Sequence, residues 1–138
     1  MIWRGLIFLF VLAACESKEQ REYFDSLDLK LSGTIQSIDM PYGFNDFGIL
    51  KVSIISSNIS WYDPRKKLDH YYCIIKNNLA EIYQFDLNNC DIGDTIEVNT
   101  LNRLFLVHKK NSILLYKRLA LSNDELFFKY IRKHHQDF

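Results

Sequence analysis

The sequence has no excess charge of either sign and none of the short motifs that mark common enzyme sites. Lysine and arginine total 17, aspartate and glutamate also total 17, and the formal net charge is +0. This balance argues against nucleic-acid binding, which depends on a basic surface, and against a polybasic attachment to lipid headgroups. Gly-x-Ser-x-Gly, His-Glu-x-x-His and the phosphate-binding loop are all missing from the sequence.

Residues that could form a metal site or a catalytic pair are few. Asp69 and His70 are adjacent, and adjacent residues of a strand point to opposite faces, so we expect an exposed pair rather than a catalytic one. The acidic segment 86–94 lacks the spacing of a calcium loop, because Cys90 stands at its fifth position and the glycine is displaced. His134 and His135 are expected to be a solvated helix end. The sequence therefore predicts no enzyme activity, no metal and no cofactor.

One long apolar run is present, and it lies at the amino terminus. Arg4 supplies a positive charge, residues 5–12 supply an apolar centre, and the small residues Ala13 and Ala14 follow. These are the parts of a secretory signal in their usual order. The run is shorter than the roughly 20 residues that a membrane-spanning helix needs. The sequence therefore predicts a signal peptide over residues 1–14.

The residues at the end of this run, Leu12-Ala13-Ala14-Cys15, resemble the lipobox of bacterial lipoproteins. The resemblance implies that the Cys15 sulfur receives a diacylglycerol, that the leader is cut before Cys15, and that the new amine is acylated. The lipid would attach the mature protein to a membrane of the cell envelope. Glu16 stands where an aspartate would retain the protein at the inner membrane, which favours the outer membrane. An uncleaved helix and a secreted protein cut near Ala14 are the alternatives.

The rest of the chain predicts one domain with no internal repeat. Residues 15–28 are interpreted as the lipidated cysteine and a polar tether, in which a short helix over 18–24 is an alternative. Residues 29–138 are expected to form a β domain, with a helix at about 122–135. Ser122 and Glu125 match the capping box that begins such a helix, and the helix is expected to cover an edge or open end of the sheet.

Alternation of apolar and polar residues from Leu29 onward predicts six or seven short antiparallel strands, among them 95–99 and 104–108. The alternation changes phase after Gly33, which predicts a bulge in the first strand. Asn77-Asn78 predicts a tight hairpin turn. We expect a small antiparallel barrel or sandwich, and the segment 89–98 is similar to the Gly-Asp turn that enters a strand in OB-like barrels.

Two cysteines remain if Cys15 is lipidated. Cys73 and Cys90 would be an even pair in an oxidising compartment, and a disulfide between them would contribute about 3 kcal/mol by the chain-entropy model. The alternative is a pair of buried thiols that act as small apolar side chains. The spacing of the two residues does not choose between these outcomes.

Aromatic residues are the most informative side chains of the predicted domain. They make up 14% of the sequence, and several lie in predicted loops. Exposed aromatic residues in loops are typical of surfaces that bind proteins or sugars, although such residues can also fold back as a small core. The candidate binding surface consists of Tyr42, Phe44, Trp61 and Tyr62.

These observations predict a membrane-anchored bacterial lipoprotein that acts as a non-enzymatic binding module. Its expected partners are the membrane, through the lipid on Cys15, and an envelope protein, a toxin that it neutralises, or a glycan. One alternative is a structural subunit of an envelope assembly, which would expose the apolar face of the helix around residues 126–131. A small hydrolase or lyase would need a deep cleft that holds Asp69, His70 and another carboxylate.

Overall fold

The computed structural model describes residues 16–134 and residue 138 of the chain. Within these residues the fold is mainly β, with seven strands in one antiparallel sheet, as the alternation pattern predicted, and with the expected C-terminal helix and a second helix near the amino terminus. The expected signal peptide and Cys15 lie outside the described residues. The elements in chain order are α1 (Lys18–Leu27), β1 (Lys30–Asp39), β2 (Gly48–Ser57), β3 (Cys73–Lys76), β4 (Leu79–Gln84), β5 (Thr95–Asn99), β6 (Leu104–His108), β7 (Leu114–Arg118) and α2 (Glu125–Lys133).

The sheet is strongly curled. Its strand order is β3-β4-β2-β1-β5-β6-β7, so β4 and β7 would lie about 24 Å apart if the sheet were flat. Instead, Gln84 Nε2 at the end of β4 donates a hydrogen bond of 3.1 Å to the Arg118 carbonyl oxygen at the end of β7. The sheet therefore bends back on itself, which is compatible with a small barrel whose edge strands are β3 and β7.

Strand β1 lies at the centre of the sheet and carries the predicted bulge. Its pairing with β2 shifts register between Ser32 and Gly33, and again between Ile35 and Ser37. A Cβ atom at Gly33 would lie 2.4 Å from Val52 Cγ1, so glycine permits the close approach of the two strands. The predicted turn at Asn77-Asn78 is also confirmed, since both residues have positive φ, 51° and 60°.

Two apolar cores lie on opposite faces of the sheet. The inner core fills the curl and draws buried residues from α1 and the strands, while the outer core lies between α2 and the outer face of β2, β4 and β3. Alternation along a strand separates the two sets, so that Ile74 faces α2 while Cys73 and Ile75 face the inner core. Strands β3 and β4 and the start of β2 are therefore buried on both faces, and α2 packs on a face of the sheet rather than on an open end.

The interpretation of residues 15–28 as a tether is wrong for residues 18–27, which form α1, a helix three residues longer than the alternative over 18–24. The Ser17 hydroxyl caps the helix by accepting a hydrogen bond of 3.1 Å from Gln20 N. Phe24 is fully buried and Leu27 is 8% exposed, and both pack in the inner core. The segment has few apolar residues, but Tyr23, Phe24 and Leu27 lie close together on one side of the helix.

The C-terminal helix is present, but its predicted start at Ser122 is wrong. Asp124 is the N-cap, since its side chain accepts hydrogen bonds from Leu126 N and Phe127 N at 2.9 and 3.3 Å. The Ser122 hydroxyl instead accepts a hydrogen bond from Asp124 N at 3.2 Å. Glu125 is consequently the first residue of the helix, and its side chain turns toward His70. Neither helix in the described part of the chain has the length and hydropathy needed to span a bilayer.

Candidate functional site

An open cleft of about 860 Å³ lies between α1 and two loops, residues 67–70 and 121–123. Tyr62, from the loop between β2 and β3, also lines it. The elements that form the cleft are far apart in the sequence and are brought together by the burial of Phe24 and Leu27 of α1 in the inner core. This cleft is a concave surface lined by both aromatic and charged side chains, and we take it as the candidate functional site.

The floor of the cleft is built on two tyrosines whose hydroxyl oxygens lie 3.0 Å apart. The Tyr23 hydroxyl also accepts a hydrogen bond of 2.8 Å from Tyr72 N. The backbone of Tyr62 pairs with that of Ile75 through hydrogen bonds of 2.8 and 2.9 Å, which fixes the main chain that carries the ring. Burial raises the pKa of both phenols, so both remain neutral at physiological pH. The floor is therefore a rigid, uncharged surface of aromatic rings and hydroxyl groups.

The rim of the cleft is acidic. Glu19, Glu22 and Asp69 line it and are exposed, whereas Lys67 is the one lysine or arginine of the lining residues. Lys18, just outside the lining, lies 3.7 Å from Glu22 in an exposed i,i+4 pair that contributes little stability. The rim therefore favours a ligand that carries positive charge or hydroxyl groups over an acidic ligand.

One wall of the cleft ends at a contact between a histidine and a carboxylate. His70 Nε2 lies 2.5 Å from Glu125 Oε1, and the His70 ring packs on Phe128 with ring centroids 4.8 Å apart. The arrangement includes Asp69, His70 and a carboxylate, which a hydrolase would need, but Glu125 is 68% exposed and the cleft is open to solvent. The contact joins the 67–70 loop to α2, and its Glu125 side faces solvent.

The four predicted aromatic residues lie in different places. Tyr42 is fully exposed and Trp61 is 63% exposed. Phe44 packs on α2, with its ring centroid 5.3 Å from that of Phe127, so it has folded back onto the outer core. Tyr62 is the only one of the four that lines the cleft.

Sequence reasoning missed the residues that α1 gives to the cleft, although a signal for this helix exists. Ser17 and Gln20 have the spacing of a capping box, Ser-x-x-Gln, at the start of the polar segment. Glu19, Tyr23 and Ser26 follow at intervals of four and three residues, so one face of a helix carries all three. The position of this face beside residues 67–70 depends on tertiary packing, and no pattern in the sequence predicts that position.

Cys73 and Cys90 are free, buried thiols in the structure. Cys73 lies on β3 with no exposed surface, and Cys90 lies in the segment before β5 and is 8% exposed. Burial raises the pKa of both thiols. Of the two outcomes that the sequence left open, the structure has the pair of buried thiols. No group of three or more histidine, cysteine or acidic residues within the described ranges is arranged to hold a metal ion.

Comparison with known proteins finds no family model, no curated protein and no solved structure that matches this chain significantly. The function is therefore inferred from the cleft, from the contacts of its walls and from the resemblance of residues 12–15 to a lipobox. The fold alone would not choose among functions, because similar small β architectures serve many different ones.

Proposed function

We propose that this protein is a lipid-anchored lipoprotein of the bacterial cell envelope that binds a partner through the cleft beside α1 and catalyses no reaction. The observation that carries the proposal is the cleft itself, with its aromatic floor and acidic rim. The proposed anchor is a diacylglycerol on Cys15, and the proposed location is the outer membrane in preference to the inner membrane. The partner is an envelope protein or a glycan.

The anchor is supported by the order of residues around the cleavage site. Leu12, Ala13 and Ala14 precede Cys15, and α1 begins at Lys18, only three residues later. Each methylene of a bound acyl chain that enters a bilayer contributes about 0.8 kcal/mol, and two chains suffice for stable attachment. A domain without a spanning helix can therefore be held firmly at a membrane by Cys15 alone.

The binding role is supported by the chemistry of the cleft. Aromatic rings with a polar group at one end are favoured where proteins contact sugars and other proteins, and the Tyr23–Tyr62 pair provides two such rings. The carboxylates of Glu19, Glu22 and Asp69 select positive charge at the rim. We propose a basic segment of an envelope protein as the first candidate ligand and a glycan as the second.

The structural-subunit alternative is less well supported by the packing of α2. Leu126 is 67% exposed, but Phe127, Phe128 and Ile131 are fully buried against the outer face of the sheet. The apolar side of this helix is thus covered by the domain itself, and no large apolar surface of α2 is left for a neighbouring subunit.

The proposal can be tested with a photo-crosslinking residue placed in the cleft of the full-length protein in its own cells. Leu68 lines the cleft and is 41% exposed, whereas Leu79 lies in the β3–β4 hairpin, does not line the cleft and is 37% exposed. We expect adducts from position 68 and none from the matched position 79. We also expect Glu22→Lys to abolish the adducts, because it weakens the negative charge of the rim.

The nature of the adduct separates the two candidate ligands. A product that protease removes indicates an envelope protein, and one that glycosidase removes indicates a glycan. Equal labelling at positions 68 and 79, or none at position 68, would contradict a binding role for the cleft.

A further inference from the structure

The residue that follows the proposed lipid-bearing cysteine is fixed to the folded domain. Glu16 Oε1 lies 2.5 Å from Arg103 Nε, and Glu16 Oε2 lies 3.9 Å from Arg21 Nε. Gln20 Nε2 donates a hydrogen bond of 3.5 Å to the same carboxylate. The side chain of Glu16 is only 10% exposed and that of Arg103 is 13% exposed, so the ion pair is largely shielded from solvent.

Arg103 is itself held by the core of the domain. It lies in the turn between β5 and β6, and its guanidinium group contacts the Thr100 carbonyl oxygen and donates to Asp25 Oδ1 at 2.9 Å. The same group lies 5.3 Å from the centre of the buried Phe24 ring. Glu16 is therefore fastened to a turn of the sheet and to α1 at once, and it has little freedom to swing away from the domain.

Because Glu16 is held against the domain, the residue bonded to it, Cys15, must also stay close to the domain. Cys15 is bonded to Glu16, and the Cα atoms of consecutive residues lie about 3.8 Å apart. A lipid on Cys15 would thus leave the protein within one residue of the folded surface. Building on the lipid anchor proposed above, we infer that no flexible tether separates this domain from the bilayer and that one face of the domain lies directly against the lipid headgroups.

This face, called here the anchor face, consists of Ser17 and Lys18 at the start of α1 and Leu101 and Asn102 in the β5–β6 turn. Leu101 is 46% exposed beside Arg103, whose Nη1 donates to the Leu101 carbonyl oxygen at 3.3 Å. The Lys18 side chain is 87% exposed. An exposed leucine and an exposed lysine, each near the Glu16–Arg103 ion pair, suit the boundary between headgroups and acyl chains, where apolar side chains insert and ammonium groups meet phosphates.

The orientation also determines where the cleft opens. Ser17 and Gln20, at the start of α1, line the same cleft as Tyr62 and His70. One end of the cleft therefore lies beside the anchor face. A ligand in the cleft would therefore be held close to the headgroups. This position suits a partner that is itself at the membrane surface.

The inference can be tested with the full-length chain, produced and lipidated in bacteria and reconstituted into vesicles of phosphatidylethanolamine and phosphatidylglycerol. An environment-sensitive fluorophore is attached to Leu101→Cys or, as a matched control, to Ile113→Cys, and a fraction of the lipid carries a nitroxide quencher. Leu101 and Ile113 are 46% and 52% exposed, and they lie in the turns before and after β6, beyond its opposite ends. Cys73 and Cys90 are buried, so the added thiols react selectively.

We expect the quencher to reduce the emission from position 101 by about twofold, because interfacial side chains sit about 5–10 Å into the headgroup region, and to leave position 113 unchanged. Insertion of twelve Gly/Ser residues between Cys15 and Glu16 supplies a flexible tether of roughly 20 Å. This insertion should keep the protein on the vesicles while it removes most of the quenching at position 101. Equal quenching at the two positions, or no effect of the insertion, would overturn the inference. A chain that lacks the lipid on Cys15 and still binds the vesicles as firmly would instead refute the proposed anchor.

Discussion

The Tyr23 hydroxyl of α1 lies 3.0 Å from the Tyr62 hydroxyl of the β2–β3 loop. This contact joins a segment that the sequence assigned to a tether with a loop that it assigned to a binding surface. Because Tyr23 also accepts a hydrogen bond from Tyr72 N, a single side chain connects α1, the cleft floor and the start of β3. The cleft therefore depends on the docking of α1.

Tyr23→Phe should lower the free energy of unfolding by about 1–3 kcal/mol, because it leaves the Tyr72 N–H without its acceptor in a buried place. Tyr62→Phe should cost less, about 0.5–1.5 kcal/mol, because Tyr62 is half-buried and water can reach the partner that it leaves. Urea unfolding of a form that begins at Glu16 measures both values. Equal and negligible effects of the two substitutions would show that α1 is not docked as described.

Gly33→Ala should destabilise the domain strongly, because the added Cβ would lie 2.4 Å from Val52 Cγ1 and 2.5 Å from the Ser53 carbonyl oxygen. We expect a loss of about 1–3 kcal/mol from the forced movement of strands β1 and β2. Gly43→Ala is the matched control. Gly43 has open space around it but a φ of +92°, so only a modest backbone cost of about 1 kcal/mol is expected there. Thermal melts of the two variants compare them directly, and a loss at Gly43 that exceeds the loss at Gly33 would refute this packing.

The strands were predictable wherever burial alternates along them. Strands β5 and β6 match their expected residues, 95–99 and 104–108, since every second side chain of each is buried and the others are more exposed. Helix α1 was harder to predict, because Phe24 and Leu27 are its only fully packed residues in a mostly charged segment. The cleft could not be predicted, because it is formed by parts of the chain that only tertiary packing brings together.

The stability of the domain should depend on the ionisation of Asp63. Its carboxylate accepts hydrogen bonds of 2.8 and 2.7 Å from Arg65 and lies 2.8 Å from Lys76 Nζ. The hydrogen bonds from Arg65, followed by that from Lys76, hold the pKa of Asp63 well below its usual range. Since the pKa is lower in the folded state than in the unfolded state, the stabilisation is present above about pH 4 and is lost as the pH falls through the folded value.

Asp63→Asn should therefore lower the free energy of unfolding at pH 7 by about 1–3 kcal/mol, and the difference from the wild type should shrink below about pH 4. The control is Asp69→Asn, at the exposed rim of the cleft, which should change stability by less than about 0.5 kcal/mol. Urea midpoints across this pH range provide the comparison. A difference that grows as the pH falls would mean that the ion pairs of Asp63 have been misjudged.

The two buried cysteines should be reduced and slow to react. Burial raises the pKa of Cys73 and Cys90, and the thiolate is the reactive form, so a thiol reagent at pH 8 should modify the folded protein slowly. Cys90 should react first, because it is 8% exposed and Cys73 is not exposed at all. In denaturant without a reductant, a form that begins at Glu16 should titrate as two thiols. A titre of zero would indicate a disulfide between them.

The central claim is that Cys15 carries the lipid that holds this domain at a membrane, and the intact mass of the protein extracted from bacterial membranes tests it most directly. We predict a chain that begins at Cys15, 138 − 14 = 124 residues long, with a mass greater than that of its polypeptide by a diacylglycerol and an acyl group. A membrane-extracted protein that has the mass of the unmodified polypeptide, or that keeps its leader, would contradict the account.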